Sequence, residues 1–146
     1  MSMNIGLSIL WLTISYVLIT LVGILHTIYN WKVLKMVSPE GTKPSEVLAY
    51  KNTEPFHPLY NIILFPIFSY IYLVQVNPSN LYQEALVIAI SWTGITIIVD
   101  WIGWVLIKHP WYMTYKEMYV DYQPWISLIY ISIFISPFFA AFMLTP

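Results

Sequence analysis

Four long apolar stretches, separated by more polar connections, dominate the pattern along the chain. They cover residues 5–28, 58–76, 84–107 and 125–144, and each contains few charged side chains. A helix needs roughly 20 apolar residues to cross the hydrocarbon core of a bilayer. The pattern therefore predicts an all-α membrane protein, a four-transmembrane-helix bundle that forms a single integral membrane domain over residues 1–146.

The connections differ in length and character. Residues 77–80, Asn-Pro-Ser-Asn, predict a tight turn, so the second and third spans should form an antiparallel hairpin. The connections 29–57 and 108–124 are longer. In the second of these, Thr114 and Glu117 have the spacing of a helix capping box and are surrounded by tyrosines and tryptophans. These features predict a short interfacial helix before the last span.

The basic residues indicate an orientation. All six are lysines, and all lie in connections 29–57 and 108–124. Because positively charged loops stay on the cytoplasmic side, both connections are predicted to be cytoplasmic and both termini outside. The lysine-only composition, rich in isoleucine and tyrosine, favours a bacterial plasma membrane.

Composition also excludes several classes of function. The chain has no cysteine and no arginine, and its net charge is −1. Disulfide chemistry, thiolate metal sites and bidentate guanidinium sites are therefore absent. The chain has no basic surplus for binding nucleic acid.

The most informative single residue is Asp100, a carboxylate inside the third apolar stretch. Such a group costs about 2.5–3.5 kcal/mol at the centre of a membrane helix, so a nearby group must compensate for it. On a helical wheel Asp100 shares its face with small and hydroxyl residues, namely Ala89, Thr93, Thr96 and Gly103. This face is predicted to point into the bundle. The opposite face, predicted to meet lipid, consists of Ile90, Ile97, Ile98 and Ile102.

A partner for Asp100 is predicted in the first span. Spans one and three run in the same direction, and His26 lies about 9 Å along its helix from Lys32, at 1.5 Å per residue. Asp100 lies about 12 Å from Lys108 on the same scale. The similar depths predict a contact between His26 and Asp100, with Asn61 of span two at the same level.

These depths define a candidate ligand-binding or proton-binding site. Its members are Asp100, His26, Thr96, Thr93, Asn61, Asn30, Trp104, Glu54 and His57. The function predicted from them is binding of a hydrophobic or amphiphilic ligand, or movement of a proton or small solute. Two alternatives remain open: an intramembrane enzyme that modifies a lipid or isoprenoid with the same residues as acid and base, and an accessory or immunity subunit without chemistry. No catalytic residue is assigned.

The expected partners follow from the same features. They are membrane lipids, a hydrophobic small molecule, and either a second copy of the chain in a homodimer or another membrane protein, with no nucleic acid. The histidines and carboxylates match no metal-binding motif. We therefore predict neither a metal nor another cofactor.

Overall fold

The computed structural model describes residues 3–145, and these residues fold into helices and connecting segments without a β-strand. The α-helices are α1 Ile5–Lys32, α2 Leu48–Lys51, α3 His57–Val76, α4 Leu81–Asp100 and α5 Trp125–Leu144. Shorter elements are the 3-10 turns Pro44–Glu46 and Glu54–Phe56 and the π-helical segments Trp101–Leu106 and Glu117–Asp121.

Four helical segments are long and apolar enough to cross a membrane. They are Ile5–Lys32, Leu48–Val76, Leu81–Leu106 and Trp125–Leu144. The predicted all-α class and the four apolar helices are thereby confirmed. This arrangement fits a multi-pass membrane protein.

Asparagines define the tight turn between α3 and α4. Asn77 ends α3 in the left-handed conformation, φ 44°, which asparagine tolerates better than most residues, and its N–H donates to the carbonyl of Leu73. The side chain of Asn80 then accepts a hydrogen bond from the N–H of Gln83 at 3.0 Å and caps α4. The predicted hairpin turn is therefore present.

The core lies where α5 packs against both α3 and α4, while α1 packs mainly on α3. Trp92 is fully buried between Phe65 and Tyr72, and its indole N–H donates to Ser8 Oγ at 2.9 Å. Small residues let the helices approach closely. The buried alanines of α4 and α5 are Ala85, Ala89, Ala140 and Ala141.

The first helix is longer than its neighbours. Its 28 residues span about 42 Å, against about 30 Å for the 20 residues of α5. In its last turns, Asn30 is buried and donates to the carbonyl of Ala49 in α2 at 3.0 Å. Part of α1 thus serves to hold the first connection.

The two lysine-containing connections meet at one end of the bundle. Lys43 forms an ion pair with Glu117 at 2.8 Å, and the N–H of Met113 donates to the carbonyl of Trp104 at 2.7 Å.

Thr114 and Glu117 exchange the two hydrogen bonds of the predicted capping box, at 2.5 and 3.2 Å. The Lys43 ammonium and the Thr114 N–H lower the pKa of Glu117 from 4.5 to about 2. The turn that follows is π-helical rather than a regular α-helix, and its interfacial position stays a prediction.

Candidate functional site

Asp100 is the centre of a polar cluster between three helices. Asp100 is the last residue of α4 and is 6% exposed, so the prediction that it faces the bundle is confirmed. Tyr16 of α1 donates to Asp100 Oδ1 at 2.7 Å, and Tyr130 of α5 donates to Oδ2 at 3.0 Å. The indole N–H of Trp104 donates in turn to the Tyr16 oxygen at 3.2 Å. Trp104, Tyr16 and Asp100 thus form a series of hydrogen bonds in which each group donates in the direction of the carboxylate.

A cavity of about 470 Å³ adjoins this cluster. It lies among α1, α3, α4 and α5, and connection 108–124 covers one side of it through Met113 and Met118. Most of the lining is apolar. The lining residues with the greatest exposure are Ile24, Ile28 and Trp111. The cavity therefore opens between the second half of α1 and the connection that precedes α5.

His57 lies at the same end of the cavity, in the first turn of α3. Its Nδ1 contacts the hydroxyl of Tyr122, and its Nε2 lies 3.0 Å from the hydroxyl of Thr53. Tyr50 packs its ring against the imidazole, with 5.8 Å between the ring centroids. Both ring nitrogens are thus held by neighbouring hydroxyls, which fix the orientation of the imidazole. Burial raises the pKa of the Tyr122 phenol well above 10, so this hydroxyl stays protonated.

The structure brings five of the nine candidate residues together around the cavity. These are Asp100, Thr96, Asn61, Trp104 and His57. The other four lie outside its lining. Asn30 bonds to α2, Glu54 pairs with Lys51 at 2.9 Å, and His26 contacts Tyr60. The hydroxyl of Thr93 is buried without a hydrogen-bond partner among residues 3–145.

The predicted contact between His26 and Asp100 is wrong. The Nδ1 atom of His26 contacts the hydroxyl of Tyr60 on α3, while Asp100 accepts from Tyr16, ten residues earlier in α1. Ten residues of helix correspond to about 15 Å. The depth comparison assumed that α1 and the third span end at the same level. It failed because the last turns of α1 extend outward to pack on α2.

The hydroxyl of Thr96 is a notable feature of the cavity wall. Thr96 is 3% exposed, lies one helical turn before Asp100, and its Oγ1 has no hydrogen-bond partner among residues 3–145. Thr20 and Thr27 bond to the carbonyl four residues earlier, whereas the hydroxyls of Ser69 and Thr93 also have no partner among residues 3–145, although neither lines the cavity. An unpartnered buried hydroxyl is costly, and the Thr96 hydroxyl is the one of these groups that a molecule in the cavity could reach.

Sequence reasoning missed the two tyrosines that bind Asp100. Tyrosine is enriched at membrane interfaces, where its hydroxyl reaches water. Tyr16 instead lies in the middle of the first predicted span. A phenol at that depth needs a hydrogen-bond partner inside the bundle, and this requirement is the feature of the sequence that could have identified Tyr16.

Comparison of the chain with protein-family models, curated proteins and solved structures finds no match.

Proposed function

We propose that this protein crosses a membrane four times and binds an amphiphilic small molecule in the cavity beside Asp100. The observation that carries the proposal is the combination of an apolar cavity with a few converging polar groups at one wall. Ligand sites have this composition, and their volumes usually lie between about 300 and 1,000 Å³. The cavity of about 470 Å³ falls within that range.

The lining divides the cavity into a polar wall and an apolar remainder. Asp100 and Thr96 form the polar wall on α4. Ile19, Phe65 and Ile129 are among the apolar residues that line the rest. A molecule with one polar end and an apolar body matches both parts at once, since each buried polar group then gains a partner.

The position of the opening supports entry from the bilayer. The rim residues Ile24 and Ile28 lie on α1, a helix whose outer surface is apolar and exposed. A molecule dissolved among lipid chains can therefore reach the cavity without crossing a polar surface. We further propose that the lysine-containing end, where the opening lies, faces the cytoplasm of a bacterium.

Two glycines provide a direct test with a matched control. Gly23 lines the cavity, and a Cβ atom built there would meet no atom closer than the His57 Nε2 at 3.8 Å. Gly23→Leu should therefore place its side chain in the cavity without a clash in the backbone. Gly94 is also helical but exposed, with nothing within 4 Å of its Cβ position. Gly94→Leu is the control.

The protein should be purified from membranes in mild detergent and analysed by native mass spectrometry. We expect the wild type and Gly94→Leu to carry the same small-molecule adduct and Gly23→Leu to lose it. Both variants should keep the wild-type melting temperature or exceed it, because leucine favours a helix over glycine by about 1 kcal/mol. An adduct that persists unchanged in Gly23→Leu would show that the cavity is not the binding site.

A further inference from the structure

The carboxylate of Asp100 has no cationic partner within residues 3–145. The ion pairs among these residues are Lys43–Glu117, Lys51–Glu54 and Lys116–Asp121, and all three lie in or beside the connections. No hydrogen bond joins Asp100 to a histidine among these residues, and the chain contains no arginine. The carboxylate is thus held inside the bundle by hydrogen bonds from neutral groups.

Those hydrogen bonds leave acceptor capacity on both carboxylate oxygens. Tyr16 donates to one oxygen and Tyr130 to the other. An ionised carboxylate offers about four lone-pair sites, so about two remain. Thr96 adds an unpartnered hydroxyl one turn away on the same helix face. Donor groups of a ligand would satisfy Asp100 and Thr96 together.

The charge and the aromatic rings of the cavity favour a cation. Among the described residues that line the cavity, Asp100 is the only aspartate, glutamate or lysine, and the other titratable groups there are tyrosines and the histidines His57 and His109. Tyr16, Trp104 and Trp111 present aromatic rings to the same space. Ammonium groups are attracted to the faces of such rings, and a buried carboxylate attracts the same charge much more strongly. An anionic head group would instead meet an unpaired negative charge.

We propose that the occupant of the cavity is a cationic amphiphile, an ammonium group with an alkyl or aryl body. Its N–H groups donate to Asp100 and Thr96, and its apolar body extends past the isoleucines of α1 toward the opening. This inference rests on the proposed function, because it names the class of ligand for the same cavity. The ligand supplies the positive charge that the bundle lacks around Asp100.

Three probes with the same chain and different head groups test this inference. Decylamine is a cation at neutral pH, since alkyl amines titrate near pH 10 as lysine does; 1-decanol is neutral, and decanoic acid is an anion. Binding is followed by tryptophan fluorescence of the protein in nanodiscs of zwitterionic lipid. Empty nanodiscs correct for partition into the lipid. We expect decylamine to bind at least about tenfold more tightly than decanol, and decanoate not to bind.

Asp100→Asn keeps the size of the side chain and removes its charge. Loss of one member of a buried charge pair weakens binding by roughly 30-fold or more. The affinity of the variant for decylamine should therefore fall by that factor, while its affinity for decanol should change little. Glu84→Gln is the matched control. Glu84 is also a buried carboxylate that accepts a tyrosine hydroxyl, from Tyr72 at 2.5 Å, but it does not line the cavity.

The outcomes separate this inference from the proposed function. Equal binding of decylamine and decanol, blocked in both cases by Gly23→Leu, would overturn the cationic ligand and leave the cavity as a binding site. Binding that Gly23→Leu does not affect would overturn both proposals. The comparison of the three probes on the wild type decides the preference for charge even if Asp100→Asn does not fold.

Discussion

Removal of the hydroxyl that Tyr16 donates to Asp100 should destabilise the bundle more than the equivalent change at Tyr130. Tyr16→Phe and Tyr130→Phe keep the rings and delete one oxygen each. Both tyrosines donate to the carboxylate, but the Tyr16 oxygen also accepts from Trp104. The two variants therefore differ by one further hydrogen bond, which Tyr16→Phe also breaks.

The magnitude follows from these contacts. Hydrogen bonds to charged groups contribute about 1.5–3 kcal/mol in water-soluble proteins, and those between membrane helices average about 0.6 with a maximum of about 1.7. The two ranges overlap near 1.5 kcal/mol, which we expect for Tyr130→Phe. Tyr16→Phe also leaves the Trp104 N–H without its acceptor, which costs about 1 kcal/mol more. We expect a total of about 2.5 kcal/mol for this variant.

Equilibrium unfolding in mixed micelles, followed by circular dichroism, measures both values. Tyr70→Phe is the control, because Tyr70 lies on α3, is 39% exposed, and its hydroxyl bonds to none of residues 3–145. It should cost less than about 0.5 kcal/mol. Repeating Tyr16→Phe in the Asp100→Asn background isolates the pair. An equal cost in both backgrounds, or a cost no greater than that of Tyr70→Phe, would refute the reasoning.

Three further predictions concern other parts of the molecule. The pKa of Glu117 is lowered in the folded protein from 4.5 to about 2, so its pairing with Lys43 should stabilise the protein fully above pH 4.5, and this stabilisation should be lost as the pH falls toward 2. When the melting temperature is measured at decreasing pH, it should therefore fall less for Glu117→Gln than for the wild type. Trp92→Ala should cost about 3–5 kcal/mol, since the indole is fully buried, whereas the exposed Trp101→Ala should change the unfolding free energy by less than about 1 kcal/mol. A reporter that is active only in the cytoplasm should be active when inserted at Gly41, and an inactive reporter there would reverse the proposed orientation.

The helical wheel of the third span gave a reliable view of which residues face inward. On the predicted inward face Ala89, Thr96 and Asp100 are buried, and Thr93 and Gly103 are partly exposed. The isoleucines predicted on the opposite face are all exposed, namely Ile90, Ile97, Ile98 and Ile102. This success has a simple physical basis. A helix has a fixed angular period, so polar residues that avoid hydrocarbon must collect on the side that meets other helices.

The partner of Asp100 was beyond the reach of the same reasoning. The angular position of a residue follows from its own helix, but its depth relative to another helix depends on where both helices end. The comparison assumed that the lysines after the first and third spans lie at the same depth. This assumption does not hold for α1, since Asn30 in its last turns packs on α2. The prediction therefore chose His26 in place of Tyr16.

The sequence by itself determined the class of the protein, its four apolar helices, the turn at residues 77–80, and the inward direction of Asp100. Each of these depends on local composition, helical period or turn chemistry, which neighbouring residues decide among themselves. The tertiary structure alone decided that Tyr16 and Tyr130 bind the carboxylate, and that a cavity remains beside Thr96. These features depend on the axial offset and the distance between neighbouring helices, which are set by the packing of the whole bundle.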